Sequence, residues 1–182
     1  RNLGRFRAAI AANEHALHLL ERTNQKTEIG HVQQDLAATY VMLGRFNEAL
    51  LLLDQAHDTF MADGRPLDAI ETDLVTSYCL LQLRRFDDVL EKCRGVRMLC
   101  AEVGRQREVA EALLNEAMAH SGQQRFDLAL GALTDARAIF QAEDNLVWMN
   151  RVDIERAALL QVQGQHRESL TLALRCMAEF ER

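Results

Sequence analysis

The residues best able to do chemistry in this sequence are its six histidines and four cysteines, and few are spaced for it. His15 and His18 lie three residues apart, which on a helix puts both on one face, where they could hold a metal ion if acidic residues converged. We favour the simpler interpretation, a solvated or half-buried helix face. His120 fits a core or groove-edge position, and His166 replaces a phenylalanine of a repeated motif. We therefore predict no metal site and no cofactor.

The four cysteines, Cys79, Cys93, Cys100 and Cys176, form no C-x-x-C pair. Cys93 and Cys100 stand where equivalent parts of the chain carry leucine or phenylalanine. Because free cysteine behaves as a small hydrophobic residue, we expect a place in the core, with redox or metal roles as the alternative. Unpaired cysteines also favour a reducing, cytoplasmic compartment.

Catalytic motifs are missing from the sequence, which contains no G-x-x-x-x-G-K-[ST], no G-x-S-x-G and no H-E-x-x-H. We predict that the chain is not an enzyme. A net charge of −6, with no basic run longer than Arg84-Arg85, argues against nucleic acid as the partner. The longest strongly apolar run, around residues 49–53, is too short to span a membrane.

Arginines occur in the sequence close to acidic residues and at a constant spacing. Glu102 with Arg105, and Asp153 with Arg156, are expected to form exposed ion pairs worth about 0–1 kcal/mol each. An arginine also recurs at a constant spacing after the predicted end of a helix, where a cation suits the helix dipole. These arginines are Arg5, Arg45, Arg85 and Arg125.

The strongest pattern is the segment LGRFNEAL at positions 43–50, which recurs in decaying form with a forty-residue period. A period of about 20–50 residues indicates a solenoid. A second set of residues with the same period tolerates a left-handed backbone and predicts helix ends. The motif copies are 3–10, 43–50, 83–90, 123–130 and 163–170, and the helix ends are Asn24, Gly64, Gly104 and Asp144.

Each repeat therefore divides into a helix A and a helix B, about nine helices in all. Pro66 suits the start of a helix A, because its missing N–H costs nothing there. We predict helix A at about 26–42, 66–82, 106–121 and 145–162, and helix B at about 46–62, 86–102, 126–142 and 166–181. The predicted domain is a single solenoid over residues 1–182: helix B of a leading repeat at 6–22, then repeats at 26–62, 66–102, 106–142 and 145–181.

Columns of equivalent residues predict how the repeats pack. Small residues let helix axes approach closely, and bulky ones fill the gaps between repeats, since a single repeat cannot bury its apolar face alone. The small columns are Ala9, Ala49, Val89, Ala129 and Ser169; Ala16, Ala56, Val96, Ala136 and Cys176; and Ala37, Ser77, Ala117 and Ala157. The bulky columns are Phe6, Phe46, Phe86, Phe126 and His166; and Leu20, Phe60, Cys100, Phe140 and Phe180.

A glycine in a tight turn, an aromatic two residues on, Ala-Leu three later and small residues further along resemble the tetratricopeptide repeat (TPR). The resemblance covers essentially the whole chain, although the usual TPR has about 34 residues and this forty-residue repeat is longer. HEAT and armadillo repeats are of similar length but lack this turn. The resemblance implies an all-α, TPR-like α-solenoid, a right-handed superhelix of antiparallel helix pairs. Forty-residue versions are similar to arrays in bacterial proteins with caspase-like CHAT proteases and in STAND-type regulators.

The resemblance also implies a function: a non-catalytic scaffold within a larger bacterial signalling protein. TPR arrays typically bind a peptide or another domain on a concave face lined by helix A. An apolar stripe flanked by acids suits a basic amphipathic segment or an adjoining domain of the same protein, and makes a carboxylate clamp a poor fit. The candidate residues are His31, Gln34, Glu71, Leu74, Tyr78, Leu81, Glu111, Leu114, Met118, Arg151 and Ile154.

Three alternatives remain open at the level of sequence. The apolar stripe could be ordinary core if the long helices close the groove. The chain could instead be a regulatory, autoinhibitory segment of a multidomain enzyme, such as a CHAT protease or a STAND ATPase. Self-association through uncapped ends of the array is a further prediction about partners, because the leading helix B lacks its helix A. A first residue other than methionine suggests an excised piece of a longer protein.

Overall fold

The computed structural model describes residues 2–23 and 25–180, with side chains over 4–23 and 25–178. These residues form nine α-helices and no strand. Asn24 and the side chain of Phe180, two of the positions named above, lie outside the described residues. The helices are α1 (Asn2–Glu21), α2 (Lys26–Met42), α3 (Phe46–Ala62), α4 (Pro66–Gln82), α5 (Phe86–Val103), α6 (Gln106–Gly122), α7 (Phe126–Ala142), α8 (Leu146–Val162) and α9 (His166–Phe180).

The helix boundaries follow the predicted ranges to within a residue from α2 to α9, with residue 181 of the last prediction outside the described part of the chain. Pro66 is in the first turn of α4, as expected. The exception is α1, which begins at Asn2 rather than at residue 6. The first copy of the motif, residues 3–10, is therefore part of a helix and not of a turn.

The seven turns from Gly44 to Gly164 each have the 6→1 hydrogen bond of the Schellman motif. At the first, Gly44 N donates to Val41 O at 3.0 Å and Arg45 N donates to Tyr40 O at 2.9 Å. Each of these seven turns contains a residue with a positive φ, so such residues recur twice in each repeat, once after helix A and once after helix B. They are Gly44, Gly64, Arg84, Gly104, Gln124, Asp144 and Gly164. The A-to-B and B-to-A turns therefore share one backbone conformation, and because they are evenly spaced along the chain, helices A and B have nearly equal lengths.

The chain divides into two compact units, Arg1–Arg85 and Phe86–Arg182, here called unit 1 and unit 2. Within each unit, every helix packs on its neighbours in sequence, joined by the short turns that make consecutive helices antiparallel. In unit 2, α6 also contacts α8, so successive A helices touch. The single solenoid over 1–182 stays a prediction.

The small columns are buried from α2 onwards, as predicted, and so are Phe60, Cys100 and Phe140 of one bulky column. In the other bulky column, Phe46, Phe86 and Phe126 are half-buried and His166 is exposed. Ala49, Ala56, Ala129 and Ala136 are fully buried, and so are the rings of Phe60 and Phe140. Where the column changes to a polar residue at Ser169, the hydroxyl donates to Ala157 O at 2.7 Å, which satisfies it inside the core.

The four cysteines form no disulfide and are buried, as the core interpretation requires. Burial raises the pKa of Cys79 and of Cys100 to about 11, so both thiols stay protonated and unreactive near neutral pH. Among the described residues, no group of three His, Cys, Asp or Glu side chains could hold a metal ion. Nor does any helix in that part of the chain combine the length and apolar composition needed to cross a membrane.

The two predicted acid–arginine surface pairs are wrong. Asp153 is buried on the side of α8 that faces α7, and Arg137 Nε lies 2.9 Å from its Oδ1. Arg156 therefore does not pair with Asp153. Arg105 pairs not with Glu102 but with Glu108, three residues on in the next helix, at 3.2 Å.

Candidate partner-binding face

The eleven residues predicted for the helix-A face fall into three groups by burial. Leu74, Leu81 and Leu114 are buried, so they stabilise the core and are not accessible to a partner as the chain stands. Four others are half-buried and four are exposed. The half-buried ones are Gln34, Tyr78, Glu111 and Met118, and the exposed ones are His31, Glu71, Arg151 and Ile154.

In unit 1 the predicted residues hold helices together. Gln34 Nε2 donates to Thr72 Oγ1 at 2.6 Å, which joins α2 to α4. Gln34 Oε1 also lies 3.4 Å from His31 Nδ1. The His31 ring packs on Phe60 with the ring centroids 5.0 Å apart. These contacts fix the orientation of the exposed edge of His31.

Close packing of Phe60 explains why Gly30 carries no side chain. A Cβ added at Gly30 would lie 2.7 Å from the Phe60 ring, closer than carbon atoms approach in folded proteins. The glycine therefore allows the ring of α3 to press against the backbone of α2. The same helix then presents His31 beside that ring.

In unit 2 the equivalent face opens into a pocket of about 260 Å³ between α6, α7 and α8. Ala129, Leu133 and Leu159 are buried at its base. Half-buried and exposed residues form the rim, which is mainly apolar with one carboxylate. The rim residues used below are Met118, Ser121, Glu155, Ala158 and Val162.

Glu155 gives this pocket its electrostatic character. Burial raises the pKa of its carboxyl above the ordinary value, and the positive charge of Arg151 opposes that shift. A carboxylate that loses water without a full set of partners favours an incoming cation. The pocket can therefore bind an apolar side chain together with a positive charge.

A cluster around Trp148, the only tryptophan in the sequence, lies near the start of α8. Its ring stacks on Phe140 with centroids 5.2 Å apart, and the guanidinium of Arg151 is 5.4 Å from its centroid. Arg107 is 5.9 Å from the same centroid and forms an ion pair with Glu111 at 2.9 Å. Burial raises the pKa of Glu111, and Arg107 opposes the shift.

Several residues of this face were not predicted from the sequence. On α8 the prediction used Arg151 and Ile154, whereas Glu155 and Val162 line the pocket. The predicted Ile154 is also accessible, but it lines a separate pocket between α8 and α9. Residues 151, 155, 158 and 162 are spaced i, i+4, i+7 and i+11, so their spacing in the sequence could have indicated that they share one face of α8.

Comparisons with known proteins place the fold. No family model matches the chain, and no curated protein matches it. Among solved structures it is similar to BtubC (BKLC) from P. vanneervenii, with a TM-score of 0.77 and 18% identity over 95% of this chain and 72% of that one. A Rap protein complexed with Competence and Sporulation Factor matches with a TM-score of 0.81 and 15% identity.

The Rap match covers 98% of this chain and 50% of the Rap protein, so this chain spans half the length of that relative. The TPR-like repeats of a putative kinesin light chain from Podosopora anserina match with a TM-score of 0.74 and 17% identity. That match covers 97% of this chain and 87% of the other. The prediction of an all-α, TPR-like helical repeat is confirmed.

Proposed function

We propose that this chain is a non-catalytic scaffold that binds a peptide or a neighbouring protein domain through its helix-A faces. The observation that carries the proposal is the open pocket of unit 2, in which apolar rim residues surround the half-buried carboxylate of Glu155. An apolar groove with a few placed polar groups is the usual form of a site for an amphipathic segment. The structural relatives are compatible with it, since one Rap regulator was solved in complex with the Phr* peptide.

The chemistry of the pocket favours a basic amphipathic partner. Met118 and Val162 offer apolar contact, and Glu155 offers a negative charge to a lysine or arginine of the partner. The net charge of −6 adds a general attraction for basic segments. In unit 1, the exposed Glu71 and His31 extend the set of available polar groups.

A peptide selection tests the proposal. Random short peptides displayed on phage are panned against the chain, and binders are measured by the fluorescence of Trp148, which lies on this face. We expect basic amphipathic binders that lose at least about tenfold in affinity on Ala158→Arg, because the new side chain fills the rim and repels a cation. Glu155→Gln should weaken the same binders by a smaller factor.

The control variant is Leu128→Arg, which makes the same change of charge on α7 at a side chain that is 54% exposed and outside the pocket. It should leave affinity within about twofold of the original. Equal losses in Ala158→Arg and Leu128→Arg, or a failure of the selection to give any saturable binder, would contradict the proposal.

We also propose that the chain acts inside a larger, cytoplasmic bacterial signalling protein, as the likeness to CHAT-associated and STAND-type arrays suggests. The competing regulatory role predicts a protease or ATPase domain in the same gene product. Sequencing the full-length gene separates the two, because a Cys–His caspase-like domain or a P-loop outside this segment favours autoinhibition.

Self-association is a separate expectation about partners. Leu170, Leu174 and Met177 are exposed along α9, although Leu50, the equivalent of Leu170, is buried in α3. Static light scattering over a range of concentrations measures it, and a constant monomer mass at high concentration would exclude it.

A further inference from the structure

A second pocket of unit 2, of about 580 Å³, opens between α7, α8 and α9 and shares no lining residue with the partner-binding pocket. Arginines dominate its polar lining, and Asp153 is the single carboxylate among the described residues that line it. Apolar side chains also line this pocket. The residues that matter are Arg137, Arg156 and Arg175, with Asp153, Met149 and Leu172.

The preceding repeat of unit 2 has a different ion pair at the equivalent positions. There Arg97 Nη1 lies 3.2 Å and 2.9 Å from the two carboxylate oxygens of Glu116. One repeat on, Arg97 corresponds to Arg137, but Glu116 corresponds to Arg156. This column holds Leu36, Thr76, Glu116 and Arg156, so an arginine follows the one acid that it contains.

The acid that Arg137 uses comes from another column. Asp153 occupies the position of the buried Leu113, and its Oδ1 accepts a hydrogen bond from Arg137 Nε at 2.9 Å. Arg156 is left without an ion pair to any carboxylate of the described residues. The position of Arg175 is likewise an acid, Asp135, in the earlier repeat.

Asp153 already neutralises Arg137 within this pocket, whereas no carboxylate of the described residues forms an ion pair with Arg156. Arg156 is half-buried, so solvent screens its charge incompletely. The planar fork of a guanidinium matches the oxygens of phosphate, and a phosphoryl group carries about −1.5 to −2 charges with three acceptor oxygens. The volume is within the range of small-ligand pockets.

We propose that this pocket binds a phosphoryl group, presented either as a free phosphate or as a phosphorylated side chain of a protein. Arg156 is the principal contact, and it lies in the same pocket as the ion pair of Arg137 with Asp153. Met149 and Leu172 accept the carbon portion that carries the phosphate. Because this pocket shares no lining residue with the helix-A pocket, an experiment can contradict one of the two proposals without contradicting the other.

Calorimetric titration at constant ionic strength tests the site with two probes, inorganic phosphate and a capped peptide that contains one phosphoserine. We expect saturable binding that Arg156→Gln weakens by at least about tenfold, the effect of losing one charged hydrogen-bond partner. Arg156→Glu should abolish binding, because it restores the arginine–glutamate pattern of Arg97 and Glu116. The matched control is Arg167→Gln, an exposed arginine of α9 outside the pocket, which should stay within about twofold.

The outcomes separate the two sources of phosphate. Binding of inorganic phosphate alone assigns a free phosphate, and binding of the phosphopeptide alone assigns a phosphorylated protein. The proposal is overturned if neither probe binds, if Arg156→Gln and Arg167→Gln bind equally well, or if succinate binds as tightly as phosphate. Circular dichroism spectra confirm that each variant is folded, and if Arg156→Glu is not, Arg156→Gln alone decides.

Discussion

In unit 1, Gln34 and Thr72 join two A helices by a hydrogen bond, whereas the residues at the equivalent positions of unit 2, Leu114 and Val152, are apolar and buried. Both pairs connect successive A helices at the same height in the repeat. At this position two A helices are joined by a hydrogen bond in unit 1 and by buried apolar side chains in unit 2. The helix-A columns that vary between repeats are therefore not all accessible for binding, because some of the variation lies within the core.

The positions four residues before Gln34 and Leu114 in the same helices differ as well. Gly30 of unit 1 lets the Phe60 ring press against α2, while its counterpart in unit 2 is the buried Ala110. Unit 2 keeps an open pocket beside Glu155 on its face. One column thus holds a glycine against the Phe60 ring in unit 1 and a buried alanine in the core that contains Phe140 in unit 2.

The largest expected effect comes from giving unit 1 the alanine of unit 2. Gly30→Ala puts a Cβ 2.7 Å from the Phe60 ring, which is fully buried and has little room to retreat. We expect a loss of about 1–3 kcal/mol in the free energy of unfolding, measured by urea denaturation. The matched control is Gly95→Ala, a helical glycine with no atom near the added Cβ, which should gain up to about 1 kcal/mol.

The double variant Gly30→Ala/Phe60→Leu checks the cause, since a smaller side chain at position 60 should recover part of the loss relative to Phe60→Leu alone. Equal stabilisation by Gly30→Ala and Gly95→Ala would mean that the ring does not constrain the glycine.

A smaller effect is expected from converting the polar link of unit 1 into the apolar link of unit 2. Gln34→Leu removes the donor to Thr72 and should cost about 0.5–1.5 kcal/mol, the usual net value of one hydrogen bond. The double variant Gln34→Leu/Thr72→Val copies Leu114 and Val152 and should be closer to the original stability. A double-mutant cycle by urea denaturation measures the coupling, and a coupling near zero would show that the hydrogen bond is not formed in solution.

The smallest effect concerns the pH dependence of unit 2. Because burial raises the folded-state pKa of Glu155, its stabilising contribution is complete below the unfolded value of 4.5 and is lost as the pH rises through the folded value. Glu155→Gln should therefore raise the melting temperature at pH 7 by up to about 3 °C and give no gain at pH 4. The control is Glu91→Gln, an exposed glutamate of α5, which should show no such difference between the two pH values. A gain confined to pH 4 would reverse the assignment.

Much of the fold could be predicted because its determinants are local. Gly44, Gly64 and Gly104 mark helix ends, since a left-handed backbone favours glycine wherever it occurs in the chain. Arg84 and Gln124 adopt the same conformation without being glycine, and only their regular spacing from the other turns indicates it. The buried alanines and phenylalanines were likewise evident from their recurrence in each repeat.

The candidate site was predicted less well, because it depends on the rotation of each helix about its axis. Glu155 lines the partner-binding pocket of unit 2, whereas the predicted Ile154 lines a different pocket between α8 and α9. Burial in turn removed Leu74, Leu81 and Leu114 from the accessible face.

The sequence by itself determined the repeat, the positions of the helices and the columns that form the core, because hydrophobic periodicity and turn chemistry act within one repeat. Only the tertiary structure decided that Asp153 pairs with Arg137 and leaves Arg156 in an arginine-rich pocket. Asp153 and Arg156 are three residues apart, and that spacing alone predicted a pair. The buried carboxylate instead binds a guanidinium from the preceding helix, since an ion pair strengthens where packing excludes water.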